Sequence, residues 1–226
     1  MISQGYLLTL EGGEGVGKTT SLTFVVDYLQ SHGIEPVVTR EPGGTALGEA
    51  VRGLLLSDQY TPDAVTELML MFAARNEHIQ QVIQPALQAG RVVVSDRYLD
   101  ASYAYQGGGR GLSMDKIQAL QDWLLSFYSN QVLPDLVLLL DAPLSVTDQR
   151  VQQRGQVKDR FEQEQRAFFE RVREAYRARA DDSTPGNTRY QIIDASVDLA
   201  GVQSQLRHTL DQLLTRLQVH SKAGDT

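Results

Sequence analysis

Hydrophobic residues follow two kinds of pattern along this chain. Short apolar runs with little polar alternation are typical of strands that are buried on both faces of a parallel sheet. These runs occupy residues 6–10, 36–39, 92–95 and 136–140, and a weaker fifth run contains Ile192 and Ile193. Between the runs, apolar residues recur at helical spacing, as with Leu22, Val25 and Leu29. The pattern predicts that strands and helices alternate.

Predicted helices separate the predicted strands. One helix begins at about Lys18 and ends near Gly33, a residue that suits a helix C-cap. A second region of helical spacing covers residues 65–72 and continues to Leu87. Strands that alternate with helices indicate a parallel sheet with helices on both faces. We therefore expect a three-layer α/β fold with a five-stranded parallel sheet, in a single domain that covers residues 1–226.

The composition is that of an ordinary globular protein. Of 226 residues, 42% are hydrophobic and 22% are charged, and there is no cysteine. The lack of cysteine excludes disulfides, thiolate zinc sites and thiol nucleophiles. The longest aliphatic run, residues 136–140, is far shorter than the ~20 residues of a membrane-spanning helix. The first residues lack the basic and apolar regions of a secretory signal, so we expect a cytoplasmic protein with no membrane partner.

Charge is unevenly distributed along the chain. The net charge of −7 argues against a nucleic-acid partner, because general nucleic-acid binders are more often basic. An acidic protein that binds an anion must concentrate positive charge locally, and arginines do cluster between residues 150 and 179. There, Phe168, Val172 and Tyr176 lie at helical spacing, whereas residues 154–160 are aperiodic and are expected to form a mobile loop. We also expect a flexible tail at residues 219–226.

A phosphate-binding motif follows the first predicted strand and opens the first predicted helix. It is the sequence GGEGVGKT at residues 12–19, which matches G-x-x-x-x-G-K-[ST]. Its glycines allow backbone N–H groups to surround a phosphate, Lys18 reaches the outer phosphates, and the Thr19 hydroxyl can bind Mg²⁺. We therefore expect the fold of a P-loop NTPase. The predicted ATP phosphate-binding residues are Gly12, Gly13, Gly15, Val16, Gly17, Lys18, Thr19 and Thr20.

Further polar motifs lie at the carboxyl ends of the predicted strands, where open parallel sheets bind ligands. Asp96 could support Mg²⁺ through water, and Arg97 could hold a phosphate with its planar guanidinium. Residues 39–45, with the sequence TREPGGT, follow the second strand. Phe72 and Arg75 are three residues apart and hence lie on one helix face. A ring beside a bidentate donor can stack on a base and bond its edge.

The class of P-loop protein is narrowed by a missing motif and by length. The sequence lacks the Asn-Lys-x-Asp string that guanine-specific GTPases usually carry. ATPase motors are usually longer chains. A small kinase is therefore favoured.

Taken together, these motifs resemble those of bacterial thymidylate kinases, in the same order and at the same spacing, from about Tyr6 to Asp194. The resemblance rests on residues 11–19, 39–45, 72–75, 96–98 and 104–111. It implies a P-loop kinase with a short helical lid at about residues 150–163. Such an enzyme transfers the γ-phosphoryl group of ATP to dTMP, giving ADP and dTDP for dTTP synthesis. The resemblance also implies Mg²⁺ as cofactor and a homodimer.

The resemblance further implies the roles of individual residues. Glu14 would hold the deoxyribose 3′-hydroxyl, Phe72 would stack on thymine and Arg75 would bond its 4-oxygen. Arg97, together with Arg40, would hold the dTMP phosphate. The other implied contacts are Ser102 and Gln106 near the base edge, Tyr105 near the sugar, Glu162 beside the nucleotide, and Arg150 and Ala195 on the adenine side of ATP.

The phosphate loop differs from that of some family members, which place an arginine directly after the acidic residue. Here residues 15–16, Gly-Val, follow Glu14. Members with this pattern are expected to take their catalytic cation from the lid. The lid cations are Arg154, Lys158 and Arg160; Arg154 is the first choice, and the sequence does not decide among the three. The predicted catalytic residues are Glu14, Lys18, Arg97 and Arg154.

The chemistry of the acceptor decides whether a general base is needed. The phosphate of dTMP is mostly a dianion at neutral pH, because its second pKa is ~6, so direct in-line transfer without a base is expected. Two alternatives stay open. One is a kinase of the same fold with another acceptor, such as a deoxynucleoside, for which Glu14 or Glu41 would be the available base. The other is a nucleotide-dependent binding protein or switch with slow ATPase activity.

The helix that bears residues 68–71 is apolar on nearly all sides. A helix of this kind is either deeply buried or part of an interface. The pattern is therefore compatible with the implied homodimer.

Overall fold

The computed structural model describes residues 5–128, 132–154, 159–181 and 189–223, with backbone only at 154, 216 and 218–223. Five strands form one sheet: β1 (Tyr6–Glu11), β2 (Val37–Arg40), β3 (Val92–Asp96), β4 (Leu136–Asp141) and β5 (Tyr190–Asp194). All neighbouring strands are parallel, in the order β2-β3-β1-β4-β5. The predicted five-stranded parallel sheet is confirmed, with each strand one or two residues from its expected position.

Helices connect the strands and pack on both faces of the sheet. They are α1 (Lys18–Ser31), α2 (Ala46–Leu56), α3 (Ala64–His78), α4 (Gln84–Gln88), α5 (Leu99–Ser102), α6 (Met114–Leu125), α7 (Leu144–Arg154), α8 (Arg166–Asp181) and α9 (Leu199–Ala223). A π-helical turn, Ile79–Ile83, joins α3 to α4, and a longer π-helical segment, Tyr103–Gly109, continues α5. The helices predicted after Lys18 and between residues 65 and 87 are confirmed.

The core has a layer on each face of the sheet, because successive strand residues point to opposite sides. On β1, Leu7 packs with Leu68 of α3 and Ile117 of α6. The next residue, Leu8, packs with Val25 of α1 and Leu206 of α9 on the opposite face. Burying one leucine side chain contributes about 1.5–3 kcal/mol. The three-layer architecture expected from the sequence is therefore present.

Side-chain caps fix the start of the two helices that border the site. Thr45 Oγ1 accepts a hydrogen bond of 3.0 Å from the Gly48 N–H of α2. Asp63 Oδ1 accepts one of 2.8 Å from the Thr66 N–H of α3. Such caps are worth about 1 kcal/mol each. The start of α3 in turn decides which of its residues face the interior.

The C-terminal third of the chain agrees with the predicted pattern in part. The expected arginine-rich helix is α8, in which Phe168, Val172 and Tyr176 are buried. Helix α7 covers the first residues of the predicted lid, and residues 155–158 lie outside the described part. Helix α9 continues to Ala223, so residues 219–223 of the predicted flexible tail are helical and 224–226 are not described. Among the described segments, no helix has the length and apolar character to span a membrane.

Candidate active site

The phosphate loop curls between β1 and α1 with glycines at positions that other residues rarely tolerate. Gly12, Gly15 and Gly17 have φ angles of 140°, 75° and 93°. A Cβ at Gly15 would also lie 2.7 Å from the carbonyl oxygen of Thr147. Gly17 stands at the N-cap of α1 and has no side chain to cap the first N–H groups of that helix. These N–H groups and the positive end of the helix dipole are suited to bind an anion.

Lys18 is folded back onto the phosphate loop. Its Nζ donates to the carbonyl oxygens of Gly12 at 3.1 Å and Gly13 at 2.9 Å. Burial, and then the positive charge of Arg97, lower the pKa of Lys18. The carboxylates of Glu14, Asp96 and Glu11 offset this shift only in part, and a phosphate in the loop would add further opposite charge.

Arg97 joins the phosphate loop to the rest of the site. It has a left-handed backbone conformation, with φ 69°, which costs about 1–3 kcal/mol for a residue with a Cβ. Its Nη1 donates to Gly12 O and Tyr176 Oη, both at 3.0 Å. Its Nη2 donates to Glu14 and to Tyr105 Oη. The strained backbone therefore aims a guanidinium along the loop.

Glu14 and Tyr105 complete this group. Glu14 Oε1 accepts from Arg97 and, at 3.0 Å, from the Tyr105 hydroxyl. The Arg97 guanidinium lies 4.7 Å from the centre of the Tyr105 ring. Three residues that the sequence predicted from separate motifs are thus in direct contact.

A cavity of about 310 Å³ runs along these residues. Its walls contain most of the predicted phosphate and acceptor residues together with eight other residues. The predicted residues among them are Glu14, Gly15, Gly17, Lys18, Thr19, Arg40, Asp96, Arg97, Tyr105, Gln106 and Glu162. The others are Glu41, Pro42, Arg52, Leu56, Met71, Ala101, Asp159 and Phe161. Phosphate-binding and acceptor-side residues therefore share one space.

Arg52 is a cation that the sequence reasoning missed. It lines the cavity, and its Nη1 donates to Pro42 O at 3.1 Å. Burial, and then the charge of Arg40, lower the pKa of Arg52, so the two cations lie close together. Arg40 is about half exposed and pairs with Glu49 at 2.8 Å. The available signal was the position of Arg52 on the helix that directly follows residues 39–45.

Asp96 and Thr19 fit the predicted magnesium site. Asp96 Oδ1 is buried and has no hydrogen-bond partner among the described residues. It lines the same cavity as Thr19, whose residue is exposed at the start of α1. A carboxylate oxygen and a hydroxyl are hard oxygen ligands of the kind that Mg²⁺ prefers.

The predicted base-binding pair, Phe72 and Arg75, is buried on α3. The Arg75 guanidinium lies 4.8 Å from the centre of the Phe72 ring, as expected from their spacing. Arg75 has no exposed surface and donates to Glu41 at 2.7 Å, to Ser102 Oγ at 3.0 Å and to Tyr98 O at 2.9 Å. Arg75 and Ser102 are together as predicted, but neither is exposed to the cavity in this conformation.

Glu41, named from the sequence only as a possible base for another acceptor, has partners that the sequence reasoning did not find. Its two oxygens accept from Arg75 and, at 2.9 Å, from His78 Nδ1, and its side chain is 2% exposed. Burial raises the pKa of Glu41, but the charges and hydrogen bonds of Arg75 and His78 lower it by more, so the net shift is downward. Glu41 is therefore ionised and holds Arg75 in place. Its position in the sequence, directly before Pro42, did not indicate that Arg75 would be its partner.

The described part of the lid contacts the acceptor side of the cavity. Arg160 Nε donates to Leu55 O at 2.8 Å, and its Nη2 donates to Glu67. Phe161 meets Tyr105 edge to face, with 5.8 Å between ring centres. Lys158 and the side chain of Arg154 lie outside the described residues. In this conformation Arg160 is thus engaged on α2 and α3.

On the far side of the phosphate loop, Arg150 Nη1 donates to Ala195 O at 2.8 Å. This contact joins α7 to the turn that follows β5. Both residues were expected on the adenine side, and they lie together. Their role toward adenine stays a prediction.

Comparison with known proteins gives a consistent result. Residues 10–206 match the family model described as thymidylate kinase. The chain is 49% identical to the thymidylate kinase of Alkalilimnicola ehrlichii over 216 residues, 95% of this chain and 96% of that protein. It is 50% identical to the thymidylate kinase of Methylococcus capsulatus over 214 residues, with 94% and 98% covered. The crystal structure of Ehrlichia chaffeensis thymidylate kinase superposes with a TM-score of 0.70 at 30% identity, covering 92% of this chain and 99% of that one. The resemblance expected from the motifs is confirmed, and the chain belongs to the thymidylate kinase family.

Proposed function

We propose that this chain transfers the γ-phosphoryl group of ATP directly to dTMP, giving ADP and dTDP. Membership of the thymidylate kinase family supports the reaction. The observation that carries the assignment to this site is the shared cavity. Lys18 and Thr19 of the phosphate-loop motif line it together with Arg97 and Gln106, which come from two other motifs. Donor and acceptor would therefore meet within one space.

The acceptor phosphate attacks without a general base. It is mostly a dianion at neutral pH, so the difficulty is to bring two anions together and to stabilise the spread charge of the transition state. Lys18 would bind the outer phosphates of ATP. Arg97, Arg40 and Arg52 would hold the phosphate of dTMP.

The nucleoside of dTMP would contact the residues of the acceptor side. Glu14 would accept from the 3′-hydroxyl, beside the Tyr105 ring at the sugar. Phe72 would stack on thymine, and Arg75, held by Glu41, would bond its 4-oxygen. Ser102, Gln106 and Glu162 would complete the pocket. Since Arg75 is covered in this conformation by Glu41, Ser102 and Tyr98, we propose that these contacts rearrange when the base binds.

Thr19 and, through water, Asp96 are the residues that would hold Mg²⁺. The buried, unpaired Oδ1 of Asp96 supports this assignment. When bound, the ion would neutralise charge on the transferring phosphates.

The lid, residues 150–163, would close over the reacting groups and exclude water, which is a competing nucleophile. Arg154 would supply the catalytic cation. Arg160 is the weakest of the three lid candidates because its guanidinium already bonds Leu55 and Glu67. Arg150 and Ala195 would face adenine. The cytoplasmic location stays a prediction.

An exposed apolar face on α2 and α3 supports a homodimer. Leu47 and Leu54 lie two turns apart on α2, and Val65 and Met69 one turn apart on α3; all four are more than 40% exposed. Such a patch on packed helices is typical of a subunit interface. We expect a dimer in sedimentation equilibrium, with association at least tenfold weaker in Met69→Asp. Val197→Asp, at an exposed position before α9, is the matched control and should remain a dimer.

The activity is tested by ADP release from ATP and Mg²⁺ with each nucleoside monophosphate added in turn. We expect the fastest turnover with dTMP. Turnover with dUMP should be weaker but measurable, because one methyl group is worth only ~1–3 kcal/mol. dCMP should be the poorest, since its amino group faces Arg75. Preference for another acceptor would overturn the base contacts, and slow release that no acceptor changes would indicate a nucleotide switch.

A further inference from the structure

Glu67 is a buried carboxylate on α3 that no catalytic or binding role above uses. It has no exposed surface. Arg110 donates to both of its oxygens, from Nε and Nη2, at 3.3 Å each. Arg160 donates to Oε2. The fourth donor is the side-chain amide of Gln106, whose Nε2 lies 2.9 Å from Glu67 Oε1.

This carboxylate fixes the orientation of the Gln106 amide. The Glu67 carboxylate oxygens receive hydrogen bonds from two guanidinium groups, and carboxylate oxygens act only as acceptors. The NH₂ group of Gln106 must therefore face Glu67, because the opposite orientation would place two acceptor oxygens against each other. The amide oxygen is left pointing away from Glu67.

The Gln106 oxygen has no partner of its own. Oε1 is buried and lacks a hydrogen bond among the described residues. Gln106 also lines the cavity. A buried acceptor without a donor is unfavourable, so a ligand that brings an N–H group to this position gains a hydrogen bond that the free protein cannot make.

At such an acceptor, the N3 atom of the base distinguishes thymine from cytosine. Thymine carries a hydrogen on N3, whereas cytosine has a lone pair there. A fixed oxygen would bond the first and repel the second. A glutamine that could turn would accept either, because its NH₂ group would then face N3 of cytosine.

We propose that Glu67 is a positioning residue for base selection: it locks Gln106 as a hydrogen-bond acceptor for N3–H and so excludes cytosine. The inference rests on the proposed placement of the dTMP base beside Gln106. The same inference gives Arg160 of the lid a part in positioning, because Arg160 and the Gln106 amide both donate to the Glu67 carboxylate.

The test compares kcat/KM for dTMP with kcat/KM for dCMP in Glu67→Gln. An amide at position 67 can donate as well as accept, so Gln106 is free to turn. We expect the dTMP-to-dCMP ratio to fall at least tenfold. The fraction of folded enzyme cancels in this ratio, so a loss of stability alone leaves it unchanged. An equal loss for both substrates would overturn the inference.

Three further variants separate the possible causes. Glu164→Gln is the matched control, because Glu164 pairs with Arg110 but not with Gln106, and its ratio should stay within twofold of the parent. Glu67→Asp keeps an acceptor-only group and should retain most of the ratio. Gln106→Leu should lower the ratio; if it does not, the proposed placement of the base is wrong, whereas failure of Glu67→Gln alone removes only the role of Glu67.

A measurement on the parent protein covers the case in which Glu67→Gln does not fold. The side-chain NH₂ signal of Gln106 in nitrogen-15 spectra is assigned by its loss in Gln106→Leu. We expect its protons to exchange slowly with solvent both without nucleotide and with dTMP bound, because they face Glu67 in both states. Rapid exchange in the dTMP complex would overturn the inference.

Discussion

The phosphate-loop end of the cavity and the end proposed to bind the base, here called the phosphate end and the base end, are held together by different interactions. At the phosphate end, one continuous segment, residues 12–19, provides the backbone curvature and the N–H groups. At the base end, buried charges from separate elements meet: Glu41 after β2, Glu67 and Arg75 on α3, and Arg160 from the lid. Local backbone conformation dominates the first end, where Arg97 adds one long-range pair with Glu14, and long-range pairing of charges sets the second.

This difference implies different responses to mutation. A side chain that touches the transferring phosphates contributes mainly to rate, because it stabilises the charge of the transition state. A buried charge whose partner is removed is left without compensation in a low-dielectric environment. Substitutions at the phosphate end should therefore lower turnover, and substitutions at the base end should lower stability or selectivity.

The largest expected effect is that of Arg154→Ala on turnover. An arginine aimed at the transition state contributes on the order of 10³-fold or more to the rate in other phosphoryl-transfer enzymes. We expect kcat to fall by about that factor while KM for dTMP changes less than threefold. Steady-state kinetics at saturating ATP measure both parameters.

Arg160→Met is the informative comparison within the same lid. Because Arg160 bonds Glu67 and Leu55 on the base side, we expect it to raise KM for dTMP and to change kcat less than tenfold. An effect of Arg154→Ala on KM alone would assign the catalytic cation elsewhere. A large fall in kcat only in Arg160→Met would likewise show that Arg154 is not the catalytic cation.

The next effect in size is that of Glu41→Gln on the free energy of unfolding. Glu41 joins Arg75 and His78 out of water, and breaking such a buried pair costs about 3–5 kcal/mol. Glu49→Gln is the matched control, because the ion pair of Glu49 with Arg40 is half exposed and should contribute less than about 1 kcal/mol. Urea unfolding at pH 7 compares the two variants.

The pH dependence of the Glu41 effect has a defined sign. Because the net shift of the Glu41 pKa is downward from its ordinary value of 4.5, its contribution to stability is complete above that value. The contribution is lost as pH falls through the lower pKa of the folded state. The difference between parent and Glu41→Gln should therefore shrink in acid. A difference that grows below pH 4.5 would contradict the assignment of Glu41 as an ionised partner.

The difference between the two ends of the cavity also explains which features could be predicted from the sequence. The five strands and the phosphate loop depend on apolar runs and on spacing over eight residues, both of which are visible in the chain. Arg97 and Gln106 were accessible because each belongs to a short motif. Glu67 and Arg52 were not assigned to the site, and Glu41 was considered only as a base. Their partners are 34, 39 and 10 residues away for Glu41, Glu67 and Arg52, and only the folded chain brings them together. The left-handed backbone of Arg97 is a tertiary property of the same kind.

The last prediction concerns Glu11, the final residue of β1. Its oxygens accept from Tyr98 N at 2.7 Å and Tyr176 Oη at 2.9 Å. Burial raises the pKa of Glu11 to about 8, with the charge of Asp100 adding to the shift and Arg97 opposing it. Since the folded state then holds a proton that the unfolded state releases above pH 4.5, stability should decline as pH rises from 4.5 to about 8.

The substitution Glu11→Gln removes this pH dependence. As pH rises from 5.5 to 8.5, the thermal midpoint of the variant should therefore rise relative to that of the parent protein. Each kcal/mol corresponds to about 2–4 °C in a protein of this size, and calorimetry at the two pH values measures the change. A constant difference between the two proteins would mean that Glu11 is ionised throughout, and that Arg97 then pairs with a charge at β1 as well as with Glu14.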